Sequence, residues 1–150
     1  MSVTIGVDVG STSTKIVLLK KGKIYSEICP TGWSPRDAGH QILEKILKDH
    51  FLALKEIDFV VATGYGRVAI DYAHKAITEI TCHGRGAVFL MPEADTIIDI
   101  GGQDSKIIKV APEGKVLDFM MNDKCAAGTG RFLNIMANAL GLDVDELGRF

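Results

Sequence analysis

Cysteine is scarce and irregularly placed in this chain. Cys29, Cys82 and Cys125 form an odd set with no regular spacing, which argues against a disulfide framework and fits a reducing compartment. Basic charge is not in excess either: seventeen Lys and Arg are scattered among nineteen Asp and Glu, for a formal net charge of −2. No basic patch is therefore expected to recruit nucleic acid. No apolar run approaches the length of a membrane span, and Met1 leads straight into an apolar strand without basic, apolar and cleavage regions in series. The expectation is a cytoplasmic protein with neither nucleic acid nor membrane as partner. What remains is ordinary for a globular domain, 150 residues with 47% apolar and 24% charged, enough for a sizeable core.

The informative feature is an internal repeat. Thr96 to Lys106 reads TIIDIGGQDSK, and shifting the register back by ninety-one positions places Asp99, Gly101, Lys106 and Ile107 on Asp8, Gly10, Lys15 and Ile16. Each copy is an apolar strand, then Asp-x-Gly, then four small or polar residues, then Lys and a second apolar strand. An echo one residue out of step follows, where Gly114-Lys115-Val116 answers Gly22-Lys23-Ile24.

The chemistry of such a unit follows from its parts. A strand entering a Gly-rich turn leaves backbone N–H groups unpaired, and without a Cβ in the way they can close on a phosphate oxygen. An Asp at the strand's end points a carboxylate into the same space, where it can hold hydrated Mg²⁺ or orient a water. Lys15 and Lys106 add positive charge beside those oxygens. One copy alone reads equally well as an ordinary hairpin with a tight turn; two copies in register favour the phosphate cradle.

Taken in order, Val3 to Val9 reads as a buried strand, Gly10-Ser11-Thr12-Ser13-Thr14 as a turn, and Lys15 to Lys20 with Lys23 to Ile28 as two further strands of an antiparallel meander, linked tightly by Lys21-Gly22. Ser34-Pro35 opens a helix as N-cap and first-turn proline, with an apolar face of Ile42, Leu43, Ile46, Leu47, Phe51 and Leu54. Ile57 to Thr63 is a fourth strand, and Gly64-Tyr65-Gly66-Arg67 follows at its carboxyl end, where ligands of open α/β sheets tend to sit. Residues 68–92 read as an interrupted helix. The second copy has strands at Thr96 to Ile100, Ser105 to Val110 and Lys115 to Met121, then Cys125-Ala126-Ala127-Gly128-Thr129-Gly130 leads into a helix capped by Gly141, and Asp143 caps another. The domains expected are a first half over 1–92 and the start of a second over 93–150, shorter than the first.

These residues carry a resemblance. Two such halves, each opening with Asp-x-Gly, resemble the actin, sugar kinase and heat-shock chaperone ATPase superfamily, an α/β, ribonuclease H-like actin/hexokinase-type fold with duplicated βββαβα halves, the second here incomplete. Within it, GVDVGSTSTK, VVATGYGR, ITEITCHGRGA, DIGGQDSK and NDKCAAGTGRFL are similar to the activator (component A) of 2-hydroxyacyl-CoA dehydratases and to the related benzoyl-CoA reductase ATPases. The resemblance covers essentially the whole chain.

It implies an ATPase of anaerobic metabolism that passes a low-potential electron, taken from a ferredoxin or flavodoxin-type reductant, to a 2-hydroxyacyl-CoA dehydratase. Activators of this family are homodimers holding one 4Fe-4S cluster between their cluster-bearing helices. By resemblance, Asp8 and Asp99 organise Mg²⁺ and the attacking water, the turn residues Gly10, Ser11, Thr12, Ser13, Thr14 with Lys15, and Gly101, Gly102 and Gln103, hold the phosphates of ATP or ADP, and Gln103 orients water or senses the γ-phosphate. Cys125 falls on the family's first cluster ligand, at what reads as a helix start favourable to thiolate. Four thiolates are expected and a symmetric dimer offers two from Cys125, so a second Cys ligand is expected beyond residue 150; as it stands the chain is expected to bind nucleotide weakly and hold no stable cluster. The bland readings are a turn amide for Gln103, a strand-edge cation for Lys106, a satisfied structural residue for His83 and a small buried thiol for Cys125. Trp33 and Tyr65 read as loop covers, and Arg67 and Arg131 as candidate phosphate or interface contacts. Two other functions fit the same superfamily: a small-molecule kinase of amino-sugar type, with Asp99 as general base, and a nucleotide-binding regulatory module.

Overall fold

Apolar and polar residues alternate along Val3–Val9 (β1), so Ile5, Val7 and Val9 are buried on one face while Thr4, Gly6 and Asp8 occupy the other. The computed structural model describes residues 2–125 and 127–149. They form two compact units, one through Cys82 and one from His83.

In the first unit, Ser13–Lys20 (β2) and Lys23–Pro30 (β3) continue β1 as an antiparallel meander. Lys21 and Gly22 join them with φ of 52° and 75°, the pair of left-handed residues whose twist suits a two-residue hairpin. Pro35–Asp49 (α1) starts as expected: the Ser34 hydroxyl accepts from the N–H of Asp37 at 3.2 Å, with Pro35 in the first turn. Ile42, Leu43 and Ile46 of α1 join Ile5, Val7, Val9, Ile16, Leu18, Val60 and Ala62 in one core cluster. The helix ends sooner than its apolar pattern suggests. His50 leaves helical geometry and Phe51 adopts a φ of 51°, so Phe51 is 94% exposed and Leu54 also faces solvent, while Leu52 packs on the core instead.

Phe59–Thr63 (β4) returns parallel to β1, and Lys75–Ala76 (β5) lies parallel to β4, for a sheet order of β3-β2-β1-β4-β5. Residues 68–92 are therefore not one interrupted helix. The segment holds the end of a 3₁₀ turn at Arg67–Ala69, then β5, then the helix Glu79–Leu90 (α2). The cause is the free edge of β4: His74 N–H donates to the Val60 carbonyl and Ile77 N–H to that of Ala62, both at 2.9 Å, so the backbone pairs with the sheet rather than with itself.

The second unit carries an antiparallel sheet of Thr96–Ile100 (β6), Ser105–Val110 (β7) and Val116–Asn122 (β8), in that order. Ile108 and Val110 are buried. Gly130–Leu140 (α3) ends at Gly141 in the left-handed region, φ 70°, where a side chain would be strained. The segment after Asp143 is a 3₁₀ helix, Val144–Arg149, rather than an α-helix. Among the described residues no helix is long and apolar enough to cross a membrane.

Candidate functional site

The repeat seen in the sequence is a repeat in hydrogen-bonded register. Asp8 stands opposite Lys15 and Val9 opposite Thr14 across β1–β2; Asp99 stands opposite Lys106 and Ile100 opposite Ser105 across β6–β7. Both turns close alike: the Gly10 N–H bonds the Ser13 carbonyl at 3.0 Å, and the Gly101 N–H bonds that of Asp104 at 2.8 Å. The amides of these two glycines are thus spent on the turn, and donors for an anion must come from the residues after them. What the glycines contribute is room. A Cβ on Gly10 would lie 2.9 Å from the Ser13 carbonyl oxygen, and one on Gly101 2.8 Å from Asp104 Oδ1.

In the first unit Lys15 Nζ lies 3.2 Å from Asp8 Oδ2, on the face of β1 away from the core. Thr14 turns the other way: it is buried and shares a hydrogen bond with Thr31 at 2.9 Å, while Thr31 donates to the Gly10 carbonyl at 2.7 Å. Its side chain anchors the turn from beneath, whereas Ser11 and Ser13 are half-buried and Thr12 is exposed. Thr63, a residue the sequence reading did not single out, pairs with Asp8 in the parallel β1–β4 register. Its hydroxyl is buried and has no hydrogen-bond partner among the described residues. A buried hydroxyl left unsatisfied beside a carboxylate is costly unless a ligand completes it. Gly64, at φ 86°, packs so closely that a Cβ would run into Asp8 Oδ1 and lie 2.6 Å from the Val9 carbonyl oxygen. The oxygen set of Asp8 and Thr63 fits hydrated Mg²⁺, which takes oxygen ligands and keeps several waters.

Arg67 serves this loop rather than its mouth. Its Nη1 donates to the Gly64 carbonyl at 2.9 Å and to Glu79 Oε2 at 3.2 Å. Trp33 and Tyr65 do not cover loops; they project into solvent at 104% and 78% exposure, since neither lies on the buried face of an element.

In the second unit Asp99 is more heavily supported. His83 Nδ1 of α2 lies 3.0 Å from Asp99 Oδ2, and Lys106 Nζ lies 3.6 Å from the same oxygen while donating to Asp104 Oδ1 at 2.6 Å. The His83 imidazole beside it, with Lys106 adding to the effect, holds the Asp99 carboxyl below the usual range against the opposing effect of partial burial. Lys106 is buried on the central strand of its sheet, so it is not a strand-edge cation. Gln103 is exposed in the turn and Gly102 half-buried. The start of α3 docks on this turn: the N–H of Gly130 donates to the Gly101 carbonyl at 2.8 Å and that of Arg131 to the Gly102 carbonyl at 3.3 Å.

That docking moves the helix start away from Cys125. Thr129 is the N-cap, and Gly128, at φ 104°, keeps the chain out of helical geometry just before it, so Cys125 lies in an exposed loop. The helix dipole is therefore not directly at its sulfur, and the thiol is exposed rather than a small buried one; Ala126 of the same motif lies outside the described residues. Cys29 and Cys82 are half-buried in the other unit. Among the described residues no group of three or more His, Cys, Asp or Glu is placed to hold a metal ion. One exposed thiol does not make up the four thiolates of a 4Fe-4S cluster, so this chain's own residues do not fit a complete cluster.

A mixed α/β chain with two Asp-x-Gly hairpins, each with a lysine facing its aspartate, defines an ATPase-type unit of the actin-like class. The model of the BadF/BadG/BcrA/BcrD ATPase family matches residues 5–150, and the chain belongs to that family. It is 49% identical over 147 residues to the 2-hydroxyisocaproyl-CoA dehydratase activator of Clostridioides difficile, covering 97% of this chain and 55% of that protein. The crystal structure of component A of the Acidaminococcus fermentans (R)-2-hydroxyglutaryl-CoA dehydratase superposes with a TM-score of 0.92 at 41% identity, over 99% of this chain and 58% of that one. The activator of 2-hydroxyisocaproyl-CoA dehydratase from Clostridium difficile with bound ADPNP gives a TM-score of 0.88 at 49% identity, over 98% and 55%. The chain thus spans about half the length of the curated relatives it matches.

Proposed function

We propose that this chain is the nucleotide-gripping part of an ATP-hydrolysing activator that delivers a low-potential electron to a 2-hydroxyacyl-CoA dehydratase. The observation that carries the reading is the duplicated hairpin, in which Asp8 and Asp99 meet Lys15 and Lys106 in identical cross-strand register. In hydrolysis, water attacks the γ-phosphorus as the bond to the β–γ bridging oxygen breaks, leaving ADP and phosphate. Asp8 and Thr63 would hold hydrated Mg²⁺, which would supply charge neutralisation at the phosphates. Lys15 neutralises the terminal phosphates, Asp99 orients the attacking water, and Gln103 stands to sense the γ-phosphate. Residues 11–14 and 102–103 offer the turn amides.

The relatives' printed names support the activator role and its dehydratase partner. In this reading the active assembly is a homodimer reduced by a ferredoxin or flavodoxin-type donor in the cytoplasm. Cys125 gives one thiolate per chain to a shared 4Fe-4S cluster, and the remaining ligands come from sequence beyond residue 150. The test is calorimetric titration of the 150-residue chain with a non-hydrolysable ATP analogue, with and without Mg²⁺. Weak, magnesium-dependent binding lost in Asp8→Asn and in Asp99→Asn is expected; affinity indifferent to both substitutions overturns the reading. For the cluster, a polypeptide extended to the relatives' full length and purified without oxygen should be a brown dimer, and Cys125→Ser should abolish its colour and iron.

A further inference from the structure

The two copies of the hairpin are alike in register but not in what surrounds their aspartates. Asp8 has Lys15 as its ion-pair partner, on a side chain 44% exposed. Among the described residues two side chains lie at ion-pair distance from Asp99, and the nearer one does not belong to the repeat. It is His83, reaching in from α2 with Nδ1 at 3.0 Å from Oδ2. Lys106 stands farther off, at 3.6 Å, because its ammonium leans to Asp104 at 2.6 Å.

The backbone around His83 is built to hold it there. Gly84 packs against the turn between β7 and β8 so tightly that a Cβ would lie 2.9 Å from the Gly114 carbonyl oxygen and 3.2 Å from both Val110 Cγ1 and Val116 Cγ2. Gly114 answers from the other side, where a Cβ would fall 2.7 Å from Arg85 Cα. Two consecutive left-handed residues, Glu113 at φ 70° and Gly114 at φ 74°, bring that turn up to the helix, and Arg85 Nη1 donates to the Glu113 carbonyl at 2.7 Å. Backbone meets backbone, so the helix cannot slide without breaking the contact. His83, one residue before Gly84, inherits a fixed position. A carboxylate oxygen that a ring nitrogen on a fixed helix approaches to 3.0 Å has its position constrained before any ligand arrives.

We infer that His83 is the positioning residue for Asp99, its Nδ1 set 3.0 Å from Oδ2 so that the second carboxylate is held in the orientation that magnesium nucleotide requires. The role rests on the nucleotide reading above and adds a residue outside the duplicated hairpins to it. It also predicts a specific rescue. The side-chain amide nitrogen of Asn sits as many bonds from Cα as Nδ1 of His, whereas that of Gln sits one bond farther. His83→Asn therefore keeps a donor where Asp99 needs it, and His83→Gln does not.

The experiment compares the parent chain with His83→Ala, His83→Asn, His83→Gln and Asp99→Asn. Three-bond couplings report the χ1 rotamer of Asp99 without nucleotide, and calorimetry with Mg²⁺ and a non-hydrolysable ATP analogue reports affinity. We expect a single Asp99 rotamer in the parent and in His83→Asn, and averaging in His83→Ala and His83→Gln. Affinity should fall about tenfold or more in the latter two, the usual effect of removing an outer partner of a metal-organising carboxylate. His83→Ala added to Asp99→Asn should cost nothing more. An unchanged rotamer in His83→Ala, or equal rescue by Asn and Gln, overturns the role. If the parent shows no magnesium-dependent affinity, the nucleotide reading falls on its own and the couplings alone decide whether His83 positions Asp99. Should His83→Ala not fold, the Asn and Gln variants still decide the matter.

Discussion

Thr31 donates its hydroxyl to the carbonyl of Gly10 across 2.7 Å, tying the first turn to the end of the meander. Because that proton is spent on Gly10, Thr14, 2.9 Å from the Thr31 oxygen, is the donor of the second bond, and both threonines are buried. Thr31→Val keeps the shape and removes both bonds. It leaves a buried hydroxyl and a carbonyl without partners, which costs about 1–3 kcal/mol. Urea denaturation should register that loss, and Thr31→Ser should recover most of it; an unaltered midpoint for Thr31→Val would mean the pair does not anchor the turn.

Gly64 is a second point of constraint. Its φ of 86° disfavours any side chain, and a Cβ there would strike Asp8 Oδ1 and the Val9 carbonyl. Gly22 has a similar φ of 75° but open space around it. Gly22→Ala should therefore cost only the left-handed penalty, about 1–2 kcal/mol. Gly64→Ala should cost more and also displace Asp8, so that magnesium-dependent nucleotide affinity falls in Gly64→Ala alone. Equal stability losses in the two variants would contradict the close packing.

Acid should loosen α1 from the segment that follows β4. Arg36 Nη2 lies 2.6 Å from Asp71 Oδ2 and His40 Nε2 lies 2.9 Å from Asp71 Oδ1. Partial desolvation pushes the Asp71 carboxyl up, but Arg36 and then His40 outweigh it and hold the group below its ordinary value. A carboxyl depressed in the folded state stabilises above its unfolded value, and that contribution fades as pH falls through the folded one. The melting temperature of the parent should exceed that of Asp71→Asn at neutral pH, and the gap should close below the ordinary aspartate range. A gap constant down to strong acid would rule the coupling out.

Much of this arrangement could be read from residue order. Local signals sufficed for β1 to β4, for α1 with its Ser34 cap, for α3 with Gly141, and for the Asp/Lys pairing of both hairpins, because turn chemistry and strand period are written in neighbouring residues. What escaped depends on contacts between distant stretches. Thr63 acquires its place beside Asp8 only because β4 lies parallel to β1. Residues 73–77 look helical until the open edge of β4 claims their backbone. His83 shows nothing at metal-ligand spacing in sequence, since its carboxylate partner arrives on the next strand. Cys125 reads as a helix start, yet the glycines beyond it send the first amides of α3 to the Gly101 turn.

The same two letters, Asp and Lys, hide a difference that mutation should expose. Lys15 is 44% exposed while Lys106 is 3% exposed, set between Asp99 and Asp104. An ion pair open to water is worth about 0–1 kcal/mol, because solvent screens it and ordering the side chain costs entropy. Removing Lys106 instead leaves the Asp99 and Asp104 carboxylates, 20% and 30% exposed, without their buried partner, a loss that solvent screens less than it does the open pair. Lys15→Met should accordingly leave the first sheet nearly as stable as before, while Lys106→Met should destabilise the second. Hydrogen exchange distinguishes the units: amides of β6 and β7 should lose protection in Lys106→Met by far more than those of β1 and β2 do in Lys15→Met. Comparable losses in the two sheets would show that burial does not separate the lysines, and that the second hairpin is as open to water as the first.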